Sequence, residues 1–210
     1  MNVGAGAGSY EPTDRDVVAV EPSEVMIAQR PPGAVAAVQG VAEALPFRDV
    51  AFDAALAVLT VHHWADSLVG LAELRRVARR QVVFTWGPSR LATFWFTRDY
   101  LWQPEAFDQA SVSLGQTAAT LAPARIESVP IPHDCTDGFY AAYWRRPEAY
   151  LNRDVREAIS CFRVIPAEVV DSAVRRLAAD LESGEWRRRN EALLDLDELD
   201  LGYRLVVAER

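Results

Sequence analysis

The sequence opens on Met1-Asn2-Val3-Gly4-Ala5-Gly6-Ala7-Gly8, in which alternate glycines directly follow the end of an apolar strand. A second apolar run, Val17-Val18-Ala19-Val20, ends on the carboxylate of Glu21. Glycines let a backbone approach a ligand closely, and a carboxylate at the tip of the second strand of a doubly wound sheet accepts both hydroxyls of a ribose. Together these features predict a nucleoside site, although a glycine-rich stretch on its own also suits a plain tight turn.

The spacing of the glycines bears on the kind of nucleoside. A dinucleotide-binding loop has glycines at its first, third and sixth positions, and the sixth position here is Ser9. The pattern is therefore G-x-G-x-G. A nicotinamide-dependent oxidoreductase fits the strand order but not this spacing.

Around this loop, short β-rich runs alternate with helical patterns, which predicts an α/β fold with a doubly wound, mostly parallel, Rossmann-like sheet. Ser23 is expected to cap a helix that ends near Arg30. A stripe of Leu68, Leu71, Leu74 and Val77 predicts a helix over residues 65–80. The predicted strands of this half are Met1 to Val3, Val17 to Val20, Ala34 to Val38, Phe52 to Thr60 and Gln81 to Trp86.

The pattern changes after Trp86. We expect an aromatic helical stretch from Leu91 to Phe107, a strand over 125–131, helices over 137–189 as a helical cap, and an antiparallel C-terminal strand over 201–208. Residues 1–86 are thus predicted as the cofactor-binding half. Residues 87–210 are predicted to add substrate-side helices and strands that complete the same domain.

Composition excludes several classes of function. The chain has 210 residues, and all 22 of its basic residues are arginine. The absence of lysine rules out Schiff-base chemistry and a phosphate loop ending in Gly-Lys. A net charge of −8 argues against a nucleic-acid partner or an anionic membrane surface.

Metal and redox sites are not expected. Cys135 and Cys161 lie 26 positions apart, and the three histidines form no metal-binding motif, so we predict reduced thiols and no metal. The sequence shows neither a bilayer-spanning run nor a signal-peptide pattern, which predicts a soluble cytoplasmic protein.

Four ordered motifs make the chain resemble the class I S-adenosylmethionine-dependent methyltransferases, of the small-molecule kind with a ubiquinone-biosynthesis-like methyltransferase domain. The resemblance is strong over about residues 1–86. Its carriers are the glycine loop, Val18-Ala19-Val20-Glu21-Pro22-Ser23, Ala42-Glu43-Ala44-Leu45-Pro46-Phe47, and Phe52-Asp53-Ala54 leading into Thr60-Val61-His62-His63-Trp64.

The resemblance implies S-adenosylmethionine as cofactor and assigns contacts by position. Gly4, Ala5 and Gly6 are expected to face its methionine part, and Glu21 to bind its ribose. The remaining implied contacts are Pro22 and Met26 beside the adenine, Ala42 and Glu43 at the adenine edge, and Leu59 and Thr60 beside the methionine carboxylate and amine.

Two positions depart from the family's pattern. Asn2 stands where the family usually has an aspartate that helps hold the ligand's amine through the loop, and an amide replaces that contact only weakly. Val41 stands where the family often has an aspartate next to the alanine that contacts adenine. We therefore expect Glu43 or the backbone to recognise the exocyclic amine of the adenine.

The start of the chain is a further departure, because only three residues precede Gly4 whereas strands average about five or six. We expect an N-terminally truncated form of the fold, either forming a homodimer that covers the exposed edge or binding the cofactor weakly. The 13 residues from Gly4 to Asp16 leave room for one helical turn.

The residues that act on the acceptor are predicted from their place after the strands. His63 is the first candidate for a general base, although a packed or capping histidine is as good an explanation. His133, followed by Asp134, is the second. Trp64, Trp86, Tyr100 and His133 are the predicted acceptor contacts; half of the aromatic residues beyond Trp86 are expected to be core.

These inferences predict an enzyme that transfers a methyl group from S-adenosylmethionine to a small-molecule acceptor. The alternative is a methyltransferase-like binding or assembly subunit without catalysis, which the short start and Asn2 support.

Overall fold

The computed structural model describes residues 1–101 and 112–210. Contacts divide this part of the chain into two compact units. The first comprises Met1–Trp86, 112–128 and Arg204–Arg210, and the second comprises 87–101 and Val129–Tyr203. The chain therefore leaves the first unit after Trp86 and returns to it twice.

The described residues contain nine strands, seven of which form one sheet in the order β3-β2-β1-β4-β5-β9-β6. The strands are β1 (Asn2–Val3), β2 (Ala19–Glu21), β3 (Ala37–Gln39), β4 (Phe52–Val58), β5 (Ala78–Trp86), β6 (Ala124–Ser128), β7 (Ile131–Pro132), β8 (Glu198–Leu199) and β9 (Tyr203–Glu209).

Pairing within the sheet is parallel from β3 to β5, with Val3 opposite Val20 and Asn2 opposite Leu56. β9 pairs antiparallel with β6. The predicted mostly parallel sheet with an antiparallel C-terminal strand is confirmed. Because the strand order reverses between β1 and β4, ligands are expected beyond the carboxyl ends of these strands, where Gly4 and Leu59 follow.

Strand β1 is short and lies in the middle of the sheet. The Met1 carbonyl still accepts the Leu56 N–H at 2.9 Å, and the Asn2 N–H donates to the Val18 carbonyl at 2.9 Å. A groove of about 950 Å³ lies at the amino end of the sheet, lined by Met1, Asn2 and parts of 12–17 and 51–56. This groove is at the opposite end of the strands from Glu21.

Seven α-helices occur in the described residues, together with short 3-10 turns and one π-helical turn. The α-helices are α1 (Glu24–Ala28), α2 (Ser67–Val77), α3 (Pro88–Thr93), α4 (Leu114–Leu121), α5 (Arg153–Ala158), α6 (Ala167–Glu182) and α7 (Glu185–Arg189). The shorter turns are Ala42–Ala44, Val61–His63, Thr97–Leu101, Pro147–Leu151, Ser160–Arg163 and Glu191–Leu193.

The helices of the first unit begin at side-chain caps. Ser23 Oγ accepts the Met26 N–H at 3.3 Å, as predicted, and Asp66 Oδ1 accepts the first free N–H groups of α2. Helix α2 buries Gly70, Leu71, Leu74 and Val77. Leu68, predicted on the buried face, is 42% exposed, because nine residues at about 100° each place it on the opposite side of the helix from Val77.

The connection from β1 to β2 differs from the predicted helical turn. Residues 4–18 are all described, and none of them lies in a helix. The connection consists of turns, so no helix begins at the glycine loop.

The second unit is built on an aromatic core. Phe94, Trp95, Phe96, Tyr140 and Tyr150 are each at most 6% exposed. The Trp95 indole N–H donates to the Trp144 carbonyl at 2.7 Å, and the Tyr150 hydroxyl donates to the Tyr140 carbonyl at 2.6 Å. These partners satisfy the polar atoms that burial would otherwise leave unpaired.

Several predicted boundaries in the second half are wrong. The stretch predicted as a helix from Leu91 breaks after α3, because Phe94 has extended ψ and packs into the core; its end at Phe107 lies outside the described residues. The predicted strand over 125–131 divides into β6 and β7, and Pro130 between them has no N–H for a ladder. The helices predicted from residue 137 begin later, with the 3-10 turn at Pro147 and helix α5 at Arg153.

None of the described helices is long and apolar enough to cross a membrane.

Candidate functional site

The glycine loop turns sharply at the carboxyl end of β1. The Val20 carbonyl accepts the N–H groups of both Gly4, at 2.9 Å, and Ala5, at 3.0 Å. Gly4, Gly6 and Gly8 have φ of 67°, 53° and 94°, a backbone region that strongly favours glycine. The loop therefore exposes backbone rather than side chains.

Gly4 is also required by contact. A Cβ at this position would lie 2.0 Å from Thr60 Oγ1, so the loop packs directly on the residue after Leu59. Thr60 is 9% exposed. The two segments that follow β1 and β4 thus meet where the strand order of the sheet reverses.

Glu21 ends β2 beside this loop and is 6% exposed. Its Oε2 accepts the Gly6 N–H at 2.8 Å, and its Oε1 accepts the Ser23 N–H at 3.0 Å. A carboxylate has about four lone-pair positions, so both oxygens keep capacity for a further donor. Glu21 is thus held in place while it remains able to accept hydroxyl groups.

Arg30, which follows α1, reaches the same loop and was not foreseen from the sequence. Its guanidinium donates to the Gly6 carbonyl at 3.1 Å and forms an ion pair with Glu11. It also donates to the Val35 carbonyl through Nε, at 3.1 Å, and Nη2, at 2.8 Å. The sequence shows only an arginine just after a helix, and arginines on the protein surface are common at such positions.

The residues predicted beside an adenine lie on the β2 side of the loop. Met26 Cε is 3.4 Å from the position of a Cβ on Gly6, and Pro22 is exposed. Ala42 is 4% exposed. Helix α2 holds the segment after Ala42, because Glu73 Oε2 accepts the Leu45 N–H at 2.9 Å.

Glu43, predicted at the adenine edge, has a partner within the chain. Its Oε1 accepts the Asp66 N–H at 3.0 Å, at the start of α2. Val41, the neighbour that replaces the family's aspartate, is 47% exposed. This arrangement favours the backbone over Glu43 for recognition of an adenine amine.

Leu59 adopts left-handed backbone, with φ of 48°, and its N–H donates to the Phe84 carbonyl at 2.8 Å. This conformation costs a non-glycine residue about 1 kcal/mol or more, and such strain concentrates at functional sites. It turns the chain away from β4 toward Gly4. Asn2, at the base of the loop, is 3% exposed.

Two aromatic residues with buried polar atoms lie after β4 and at the end of β5. The rings of His62 and Trp86 have centroids 4.2 Å apart in an edge-to-face arrangement. His62 Nδ1 and Trp86 Nε1 are buried without a hydrogen-bond partner among the described residues. Burial, and secondarily the neighbouring His63, lowers the pKa of His62 to about 3, so its imidazole is neutral at physiological pH.

His63, the predicted base, is exposed, and its ring centroid lies 3.8 Å from that of His62. Its N–H donates to the Thr60 carbonyl at 2.8 Å. The backbone therefore fixes His63 beside the switch point and leaves part of its ring in solvent.

Trp64, a predicted acceptor contact, packs on α2 instead. A Cβ on Gly70 would lie 2.4 Å from Trp64 Cε3 and 3.2 Å from Ala42 Cβ, so the indole covers the helix at its glycine. This contact favours a packing role for Trp64.

Tyr100 and His133, the other predicted acceptor contacts, belong to the second unit. Tyr100 is 2% exposed, its hydroxyl donates to Asp180 Oδ2 at 2.7 Å, and Arg189 donates to the same hydroxyl at 2.8 Å. Burial is the main reason that the pKa of Tyr100 is raised. These contacts favour a packing role. His133 follows β7, and its N–H donates to the Asp197 carbonyl at 2.9 Å.

No group of three His, Cys, Asp or Glu side chains in residues 1–101 and 112–210 is placed to hold a metal ion.

Comparison with known proteins identifies the family to which this fold and site belong. The sequence model of the family described as "Methyltransferase domain" matches residues 1–85. A crystal structure of a candidate methyltransferase from an antibiotic biosynthesis pathway of Anabaena variabilis is 31% identical, covers 100% of this chain and 90% of its own, and has a TM-score of 0.89. The chain belongs to the class I S-adenosylmethionine-dependent methyltransferases.

More distant structures share the fold alone. The YcgJ protein of Bacillus subtilis is 18% identical with a TM-score of 0.52, over 98% of this chain and 88% of its own. A candidate methyltransferase of Bacillus halodurans is 14% identical with a TM-score of 0.51, over 99% of this chain and 90% of its own. No protein of curated function matches the chain.

S-adenosylmethionine is the cofactor of this methyltransferase family, and the described loop fits it. Gly4, Gly6 and Gly8 put no side chain between the loop backbone and a ligand, and the oxygens of Glu21 retain lone pairs for hydroxyl groups.

Proposed function

We propose that this methyltransferase transfers the methyl group of S-adenosylmethionine to a small-molecule acceptor. The name of the Anabaena variabilis relative, which places that protein in an antibiotic biosynthesis pathway, supports a small molecule over a nucleic acid. The negative charge of −8 points the same way. The ubiquinone-biosynthesis-like subtype is part of this proposal.

The observation that carries the proposal is the carboxylate of Glu21, held by two backbone N–H groups beside an open glycine loop. In this assignment Glu21 accepts the ribose hydroxyls, and Gly4, Ala5 and Gly6 contact the methionine part through their backbone. The other residues assigned to the cofactor are Asn2, Pro22, Met26, Ala42, Glu43, Leu59 and Thr60.

The bound cofactor supplies a methyl group on a sulfonium, which an acceptor attacks in line. Most of the acceleration then comes from alignment, and a general base is needed only where the attacking atom carries a proton. His63 is assigned as that base, because its ring is accessible and its backbone is fixed after β4.

The acceptor is assigned to the carboxyl ends of β4 and β5. His62 Nδ1 and Trp86 Nε1 are buried there without partners among the described residues, and buried polar atoms are normally paired. An indole N–H only donates, so the complementary group is a hydrogen-bond acceptor such as an oxygen. A hydroxyl group has both functions that these atoms call for, an acceptor for the Trp86 N–H and a donor for an unprotonated His62 Nδ1.

Titration calorimetry with S-adenosylmethionine, S-adenosylhomocysteine and NAD tests the cofactor. We expect binding of the first two and none of NAD. Transfer of a radiolabelled methyl group to a panel of phenolic and other hydroxylated acceptors then tests catalysis. Binding with no transfer to any acceptor would indicate the non-catalytic alternative, and binding of NAD alone would reject the assignment.

A further inference from the structure

A buried ion pair links the glycine loop to the residue that follows α1. The side chains of Arg30 and Glu11 are only 6% and 7% exposed. Removing two charges from water is costly, and a buried pair often stabilises a fold no more than apolar residues would. The position of this pair therefore needs an explanation other than stability.

The remaining contacts of Arg30 explain why this ion pair lies where it does. Its Nη1 donates to the Gly6 carbonyl at 3.1 Å, and the guanidinium also lies 3.3 Å from the position of a Cβ on Gly8. Its Nε and Nη2 donate to the Val35 carbonyl, before β3. One planar cation thus ties the Gly6 carbonyl to the segment that precedes β3.

Gly6 is held from both sides. Its N–H donates to Glu21 Oε2 at 2.8 Å, and its carbonyl accepts from Arg30. Glu21 thus binds the peptide unit before the Gly6 Cα, and Arg30 binds the peptide unit after it, so the two side chains together restrain the backbone dihedral angles of Gly6. Because glycine loses more backbone freedom on ordering than any other residue, a free loop would oppose ligand binding.

The turn structure of residues 4–18 makes this support necessary. No helix starts at the loop, so no helix N-terminus anchors it. Glu11 lies within this helix-free connection and pairs with Arg30. The ion pair takes the place of a helix as the element that orders the loop.

We propose that Arg30 and Glu11 are positioning residues of the cofactor site, which hold Gly6 and Glu21 in the binding arrangement before the cofactor arrives. The inference rests on the proposed function, since it takes S-adenosylmethionine as the ligand of this loop.

Calorimetry with S-adenosylhomocysteine tests it on Arg30→Gln, Glu11→Gln and Arg153→Gln. Arg153 pairs with Glu157 on the surface, with side chains 81% and 60% exposed, and serves as the matched control for loss of one positive charge. We expect Arg30→Gln to weaken binding about tenfold, with a more unfavourable binding entropy. Glu11→Gln should weaken it less, because the bond from Arg30 to Gly6 remains.

Hydrogen exchange separates positioning from general stability. We expect residues 4–11 of the free Glu11→Gln and Arg30→Gln proteins to exchange faster than in the parent, while β4 and β5 keep their protection. If Arg30→Gln does not fold, the calorimetry and hydrogen exchange of Glu11→Gln decide whether the ion pair has a positioning role. Unchanged affinity in the folded variants, or an equal loss in Arg153→Gln, would overturn the inference. Failure of the parent to bind the ligand would instead reject the proposed function.

Discussion

Replacing Gly4 with alanine places a methyl group where Thr60 already stands. The new Cβ would lie 2.0 Å from Thr60 Oγ1 and 2.8 Å from both its Cβ and its Cγ2. Thr60 is 9% exposed and follows the strained Leu59, so it has little room to move aside. Gly33 is a matched control, because its φ is also positive, at 88°, and no described atom lies within 4 Å of its Cβ position.

Gly4→Ala and Gly33→Ala differ in one contribution to the free energy of unfolding, the overpacking against Thr60. Left-handed backbone costs an alanine about 1–2 kcal/mol, and the stiffer unfolded chain offsets about 0.4–1 kcal/mol of this. Gly33→Ala should therefore lower the free energy of unfolding by about 1 kcal/mol, or 2–4 °C in melting temperature. Gly4→Ala adds overpacking of about 1–3 kcal/mol, which gives a total near 3 kcal/mol and about 6–12 °C.

Urea denaturation of the two variants, and of both in a Thr60→Gly background, measures this difference. Removal of the Thr60 side chain should restore about 1 kcal/mol or more to Gly4→Ala and nothing to Gly33→Ala. Equal losses for Gly4→Ala and Gly33→Ala, or strict additivity with Thr60→Gly, would refute the packing argument.

Three further outcomes are expected. Glu21→Ala should weaken S-adenosylhomocysteine binding at least tenfold, as measured by calorimetry, because it removes charge-assisted hydrogen bonds of about 1.5–3 kcal/mol each. The control Glu24→Ala removes a nearby exposed carboxylate and should change the affinity little. His63→Gln should slow methyl transfer to a hydroxylated acceptor about 10²- to 10⁴-fold with cofactor affinity kept; a loss below about threefold would leave alignment as the only contribution. His62 is neutral in the folded chain down to a pKa of about 3 but takes up a proton near its ordinary value of 6.5 when unfolded. Its stabilising contribution is therefore complete above pH 6.5 and is lost as the pH falls toward the folded pKa, by up to about 1.4 kcal/mol per pH unit. In His62→Gln the free energy of unfolding should therefore fall less steeply with decreasing pH between these two values. An equally steep fall in parent and variant would contradict this expectation.

The cofactor half could be predicted from sequence because its signals are local. Glycines after a strand end and a carboxylate at the next strand tip lie within a few residues of the contacts that they make. The position of Glu21 beside Gly6 follows from strand order alone, since parallel neighbours end at the same edge of a sheet.

Arg30 could not be predicted, because its role depends on Gly6, 24 positions earlier in the chain. The helical stretch predicted from Leu91 was correct only in part, because its described residues are helical over 91–93 and 95–101 with a break at Phe94. No glycine or proline marks a break near Phe94 in the sequence, and the helix is interrupted where the Phe94 side chain packs into the core. Tertiary packing overrides local propensity in that segment.

Strand β9 has a consequence for synthesis in the cell. It lies between β5 and β6, yet it follows the end of β5 by more than a hundred residues. Ribosomes add about 5–20 residues per second, so the growing chain exposes the apolar edge of β5 for roughly 6–25 s before its neighbour emerges. Unpaired strand edges associate with one another. Slow translation of residues 87–202 should therefore increase aggregation of the nascent chain, and a chaperone that binds extended apolar segments should increase its yield.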